Sequence, residues 1–265
     1  MIMTALHISL IQTDLVWENI SENLKQLEEK INRVPNGTHL VVLPEMFSTG
    51  FSMQPERLAE TMQGTTIKWM KRMAATKKTI VTGSMIITEN NHFYNRLIWM
   101  LPNGQMGKYD KRHCFAYAGE NEHYTPGNSR LIASVNGWKI NLQICYDLRF
   151  PVWAHQQSTH PPEYDVMLYV ANWPEKRIHA WKSLLVARAI ENQCYVIGVN
   201  RVGADGNGIA HSGDSMAINP MGEIIWHESG HEAIGNIVLD AIFLQEVRAK
   251  FPFLADADTF TIHHA

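Results

Sequence analysis

Apolar and polar residues alternate along this chain in two rhythms. Leu6, Ile8 and Leu10 interleave with His7, Ser9 and Ile11, a period of two with one wholly apolar face, which predicts a strand. Ile20, Leu24, Leu27, Ile31 and Val34 then recur at steps of three and four, one helical stripe, and Pro35-Asn36-Gly37 predicts its end. The run His39-Leu40-Val41-Val42-Leu43 is nearly all apolar, as in a strand buried on both faces, and it leads straight into Pro44-Glu45. A helix is predicted over 65–76 and a strand over 79–87; Asn90-Asn91 then marks a tight turn to a partner strand over 94–100.

The second half continues in the same mixed manner. Pro102-Asn103-Gly104-Gln105 reads as a turn before a strand opening at Met106, and further strands are predicted at 138–144, 164–170, 195–200, 216–219, 223–227 and 234–239. A long helix is predicted over 177–193, with Ile178, Trp181, Leu184, Leu185 and Ala189 on one side. Crossovers and hairpins together predict an α/β fold in which helices cover sheet faces, a layered sandwich; eight regular βα units are not there. No linker or shift of composition divides the chain, so one domain over 1–265 is expected, with a C-terminal tail from about 241. His263-His264 reads as part of that exposed tail, and Phe251-Pro252-Phe253-Leu254 has two possible places, on a partner or on its own domain.

Charge narrows the class of partner. Lys and Arg number 23 against 26 Asp and Glu, which gives no electrostatic reason to expect nucleic acid or an anionic membrane. The N-terminus lacks a charged leader and no run approaches the roughly 20 apolar residues of a membrane span, so a cytoplasmic protein is expected. Cys114, Cys145 and Cys194 are an odd number without a CxxC pair, which argues against disulfides and a cysteine zinc site. The 13 histidines form no HExxH, and 203–208 reads as a turn rather than a phosphate loop, so neither metal nor cofactor is expected.

Three residues stand where chemistry is commonly built, at strand ends. Cys145 follows Leu142-Gln143-Ile144; a thiol on the sharp turn there can be a nucleophile, with the next backbone N–H aimed at an oxyanion, or simply a small core residue. Glu45 follows an apolar strand and must be paired, protonated, functional, or an exposed turn residue. Lys111, beside Arg112, is by itself a surface charge. Together a carboxylate, an ammonium and a thiol are the parts needed for acyl transfer through a thioester. A papain-like pairing of Cys with His113 fails, because the order of residues along the chain is wrong.

Leu43-Pro44-Glu45, Tyr109-Asp110-Lys111-Arg112-His113 and Cys145-Tyr146-Asp147-Leu148-Arg149-Phe150-Pro151 resemble, in order, the three catalytic segments of the nitrilase, or carbon–nitrogen hydrolase, superfamily. The resemblance spans Ile8 to about Ala241 and implies an αββα sandwich that pairs with a second copy into a homodimer or larger homo-oligomer. It implies Glu45 as base, Lys111 and the Tyr146 N–H as oxyanion stabilisers, Cys145 as nucleophile, and Glu120 as a second glutamate beside the lysine. Leu43 to Phe51, Tyr169 to Pro174 and Asn200 to Gly208 look like the bacterial omega-amidases, which cleave the terminal amide of 2-oxoglutaramate and 2-oxosuccinamate. Cys114, where leucine is common, and an apparent insertion at 155–163 depart from the pattern; the insertion bears on the pocket rim.

Such a substrate carries a carboxylate. Arg149 is the first choice to grip it, with an ion pair to Asp147 or Glu120 as the competing structural role; Arg201 is the second choice. Phe47, Phe51, Tyr117 and Trp173 are expected to line the pocket. Two other readings stay open. One is a different superfamily activity (N-carbamoyl-amino-acid hydrolase, aliphatic amidase or nitrilase), the other a catalytically silent binding subunit.

Overall fold

The structure, a computed structural model, describes residues 3–157 and 161–262. The paired histidines at 263 and 264, and three residues inside the 155–163 segment, lie outside the described residues. The first half of the chain runs β1 (Leu6–Gln12), α1 (Ile20–Asn32), β2 (Leu40–Val42), α2 (Pro55–Leu58), α3 (Thr65–Lys77), β3 (Ile80–Glu89), β4 (His92–Met100), β5 (Met106–Asp110) and α4 (Glu120–His123). The second half runs β6 (Ile132–Val135), β7 (Trp138–Ile144), α5 (Pro151–Ala154), β8 (Val166–Ala171), α6 (Ile178–Asn192), β9 (Tyr195–Asn200), β10 (Val202–Ala204), β11 (Ala210–Ile218), β12 (Ile224–Ser229), β13 (Ala233–Leu239) and α7 (Ala241–Lys250).

Two sheets stack face to face. The first has the order β13-β1-β2-β3-β4-β5, the second β10-β11-β9-β8-β7-β6 with β12 paired to β11. Each contains a parallel trio, β1-β2-β3 and β7-β8-β9, flanked by antiparallel strands. Leu6, Ile8, Leu40 and Leu97 of one sheet meet Trp138, Ile140, Leu142 and Leu168 of the other in a continuous apolar core. Leu24, Leu27 and Ile31 of α1 and Ile67, Met70 and Met73 of α3 cover the outer face of the first sheet. Helix α6 lies against β9 and β11 on the outer face of the second. The result is the expected αββα sandwich.

The periodicities explain the elements. Asn19 caps α1 by accepting the Glu22 N–H, and the helix closes three residues before Pro35. Asn90 and Asn91 both take positive φ, 53° and 61°, the two-residue turn that lets Glu89 pair with His92. Strand β11 begins six residues earlier than its apolar run predicts, because its polar first half (His211, Ser212, Asp214) breaks the alternation and a register shift occurs between Gly213 and Ser215. The segment expected as a tail from about 241 opens instead as α7, capped by Asp240 and anchored through buried Ala241, Leu244 and Val247; buried Leu254 follows it. Among the described residues no helix is long and apolar enough to cross a membrane.

Candidate active site

Period-two alternation decides which side chains of β4 and β5 face inward. Arg96 pairs across the strands with Asp110 through two hydrogen bonds of 2.6 and 2.9 Å, and that occupies one face. Their neighbours Asn95 and Lys111 therefore point the other way, and the Lys111 N–H bonds the Asn95 carbonyl at 3.0 Å. There the Lys111 ammonium meets Glu45, beyond the end of β2, at 2.9 Å and Glu120, at the start of α4, at 2.8 and 3.0 Å. The Asn95 amide bridges the same two carboxylates at 2.8 and 3.2 Å. The other Glu45 oxygen accepts the Asn172 N–H at 2.8 Å, from just beyond β8, so both sheets hold this carboxylate.

All three charged groups are buried, with side-chain exposures of 0% for Glu45 and Glu120 and 1% for Lys111. Burial works against the ammonium, but Glu120 and then Glu45 outweigh it and hold Lys111 protonated well above the usual lysine range. Burial, with Glu45 nearby, raises the Glu120 carboxyl above its ordinary value despite the opposing pull of Lys111. Two carboxylates against one ammonium leave an excess acceptor, and Glu45 lies near enough to the Cys145 thiol to push its titration up.

Cys145 follows directly on β7, at φ 42°, the left-handed region that a non-glycine residue rarely occupies. Tyr146 to Arg149 complete a short 3-10 turn after it. Asp147 holds the turn in place. Its carboxylate accepts the Ile144 N–H at 3.0 Å, the His113 N–H at 2.9 Å and the Tyr109 hydroxyl at 2.7 Å. One buried side chain thus ties the lysine segment to the cysteine segment. His113 is engaged with Asp147 and stacks on Phe150, ring centroids 3.8 Å apart, so it belongs to this brace.

Burial pushes the Cys145 thiol well above the ordinary cysteine range, Glu45 adds to the rise, and Lys111 offsets it only in part. The resting group is therefore a neutral thiol beside an acceptor, not a thiolate. Because the thiol titrates above its usual value, its modification by a small neutral reagent such as methyl methanethiosulfonate is expected to rise about tenfold per pH unit to pH 9, without levelling off near neutrality. Peptide mapping of the modified protein checks this, and a plateau between pH 6 and 8 would mean a preformed thiolate. Cys194 is buried and Cys114 half-buried; burial first, and for Cys114 the nearby Glu120, push both thiols up to about 12.

A cavity opens over Cys145 and Lys111. Phe51, Phe115, Tyr146 and Trp173 supply aromatic wall, and the cations Arg149 and Arg177 reach it together with Asp205 and His211. Arg149 lies 5.0 Å from the Trp173 ring centre and Arg177 5.1 Å from that of Phe115. Among the described residues neither has a carboxylate partner; Asp147 and Glu120 are engaged elsewhere. No described residue of the 155–163 segment lines the cavity.

Two expected lining residues, and the second choice for the carboxylate grip, are elsewhere. Phe47 points into the opposite layer, where its ring packs on Trp69 at 5.9 Å and fills the space left by Gly83; the chain turns at Met46, φ 42°, and carries the next side chain under the helices. Tyr117 is 87% exposed, since the 3-10 turn 116–118 directs it to solvent. Arg201 is buried, with its guanidinium donating to Asp14 and to the carbonyls of Leu15, Val202 and Ala204. Asn95, Asn172, Arg177 and His211 went unnoticed in the sequence. Arg177 had one usable signal, a place four residues beyond Trp173 on the same strand-end loop. Among the described residues no group of three or more His, Cys, Asp or Glu is disposed to hold a metal ion.

Residues 7–249 match the carbon-nitrogen hydrolase family. The chain is 42% identical to omega-amidase YafV of Escherichia coli K12, over 98% of this chain and 100% of that one. It is 32% identical to the 2-oxoglutaramate amidase of Bacillus subtilis, over 94% and 96%. The crystal structure of XC1258 from Xanthomonas campestris, a CN-hydrolase superfamily protein with an arsenic adduct in its active site, superposes with a TM-score of 0.96 at 39% identity, covering 98% of this chain and 100% of the other. Fold, family match and near-full-length relatives agree: this chain belongs to the carbon-nitrogen hydrolase family and is a hydrolase acting on carbon–nitrogen amide bonds.

Proposed function

We propose that the protein is an omega-amidase that hydrolyses the terminal amide of 2-oxoglutaramate or 2-oxosuccinamate through a Cys145 thioester, giving the 2-oxo acid and ammonia. The observation that carries this reading is the buried Glu45–Lys111 contact beside Cys145, at the foot of a cavity reached by two guanidiniums that have no carboxylate partner among the described residues. The names of relatives matched at 42% and 32% identity over nearly their full lengths supply the substrate class.

Glu45 takes the thiol proton as sulfur attacks the amide carbon. The Lys111 ammonium and the Tyr146 N–H stabilise the tetrahedral oxyanion. Glu45 returns the proton to the leaving nitrogen, so neutral ammonia departs; it then deprotonates the water that cleaves the thioester and passes that proton to the departing Cys145 sulfur, restoring the thiol. Glu120 positions Lys111 and keeps it charged. Arg149 grips the substrate carboxylate, while Phe51 and Trp173 shape the channel to it.

Around this centre we read 1–265 as one domain, acting in the cytoplasm as a homodimer or larger homo-oligomer. Support for assembly comes from exposed apolar side chains on outer strands and helices, among them Ile190, Ile224, Val238 and Ile242. The test of the activity is a substrate panel. Turnover of 2-oxoglutaramate is expected to exceed that of glutamine, asparagine, an N-carbamoyl amino acid and an aliphatic nitrile by about 100-fold or more in kcat/KM, since each competitor lacks the 2-oxo acid end or the amide. A faster N-carbamoyl or nitrile reaction would transfer the protein to another activity of the family. No acylation with any of them would make it a silent subunit.

A further inference from the structure

His211 occupies an unusual position. It is the second residue of β11, paired with Gly203 across β10, only 6% exposed, yet part of the cavity wall that holds Cys145 and the two guanidiniums. Among the described residues its buried Nδ1 has no hydrogen-bond partner. A buried polar nitrogen left unpaired is costly. Burial first, then the nearby Arg201 cation, hold the imidazole down at about 4, with Asp205 and the carbonyls of Ile209 and Gly203 pulling weakly the other way. At neutral pH the ring is therefore uncharged, with one N–H to give and one lone pair to receive.

Two other polar groups at this end of the cavity are at least partly engaged. Asp205 has one oxygen tied to the Asn207 and Ile209 N–H groups at 2.8 and 3.0 Å, within its own loop. Trp173 turns its indole N–H to the Arg177 carbonyl at 2.9 Å, which anchors the backbone that carries the Arg177 guanidinium. What remains available is two cations, the second Asp205 oxygen and one neutral imidazole. A carboxylate needs the cations, and a ketone oxygen beside it needs a donor that does not itself demand a counter-charge.

We propose that His211 and Arg177 are specificity-determining residues for the 2-oxo acid end of the substrate: Arg177 shares the carboxylate with Arg149, and the His211 ring N–H donates to the 2-oxo oxygen. This rests on the omega-amidase reading above.

The experiment compares 2-oxoglutaramate with 4-carbamoylbutanoate, the same chain without the 2-oxo group, and with butanamide, which lacks the carboxylate as well. Wild-type protein is expected to favour the oxo substrate over 4-carbamoylbutanoate by about 100-fold or more in kcat/KM. His211→Phe should cut that preference at least tenfold by slowing only the oxo substrate, and His211→Gln, which keeps a donor, should restore part of it. Arg177→Gln should slow both carboxylate-bearing amides and spare butanamide. Inhibition of the wild type and each variant by 2-oxoglutarate and by glutarate provides a binding readout that does not depend on turnover; His211→Phe should erase the difference between the two inhibitors. A wild type that favours the oxo substrate, with the preference intact in His211→Phe, overturns the subsite and leaves the omega-amidase reading standing. A wild type with no preference ends both.

Discussion

Replacing Cys145 by alanine is expected to lower turnover of 2-oxoglutaramate by at least about 10⁵-fold while leaving the fold intact. The loss is large because no other group in the cavity can take the role of the sulfur: Cys114 is half-buried and bonded to the Tyr124 carbonyl at 3.7 Å, and Cys194 is sealed in the core. Stability should change little. Cys145 already sits at φ 42°, a strain that alanine shares, and Asp147 holds the turn through backbone groups of Ile144 and His113 that the substitution does not touch. Cys145→Ser is a sharper probe, because a hydroxyl is far harder for a carboxylate to deprotonate than a thiol; it should run at under about 1% of wild type. Steady-state kinetics with a thermal melt alongside checks both. Wild-type turnover in either variant would remove Cys145 from the reaction.

Glu45→Gln is expected to reduce kcat by about 10⁴-fold, near the upper end for a general base, because one carboxylate serves the attack, the departure of ammonia and the hydrolysis of the thioester. The same substitution should make the thiol easier to ionise. Glu45 is among the groups that hold the Cys145 thiol up, so removing its charge lowers the thiol's pKa, and modification by methyl methanethiosulfonate at pH 8 should speed up as turnover collapses. A merely misfolded variant would not show these opposed changes. The amide should be accommodated, since Lys111 keeps Glu120 and the site moves from an excess of one carboxylate to balance. Turnover and thiol modification falling together would argue that Glu45 supports the structure rather than the proton transfers.

The sequence made the layered fold and the reactive trio legible for a shared reason. Strands buried on both faces are short apolar runs, and a charged or nucleophilic residue that terminates such a run stands out against it, as Glu45 does after Leu40 to Leu43 and Cys145 after Leu142 to Ile144. Side chains whose importance comes from how the sheets meet gave no such signal. Asn95 is an ordinary polar residue of a hairpin strand until packing brings it against Glu45 and Glu120, and His211 is one of 13 histidines until β11 sets it in the cavity wall. The misplaced residues follow from local geometry that type and spacing do not encode: a turn at Met46 sends Phe47 under the helices, and Asp14, distant in sequence, claims Arg201. The start of α7 had a readable signal in Asp240, whose side chain accepts the Ile242 and Phe243 N–H groups.

The brace built on Asp147 has a consequence for how this protein can change over time. It locks the lysine and cysteine segments to each other from beneath, whereas Arg177, Asp205 and His211 belong to other segments and bond to none of the Asp147 partners. Part of the cavity wall is thus mechanically separate from the reactive turn, while Arg149 rides on that turn. Substitutions in the separate part are expected to retune which amide is admitted while the Asp147 brace stays intact, so the scaffold can diversify its diet by small steps, and an engineer can do the same with libraries confined to 173–177 and 205–211.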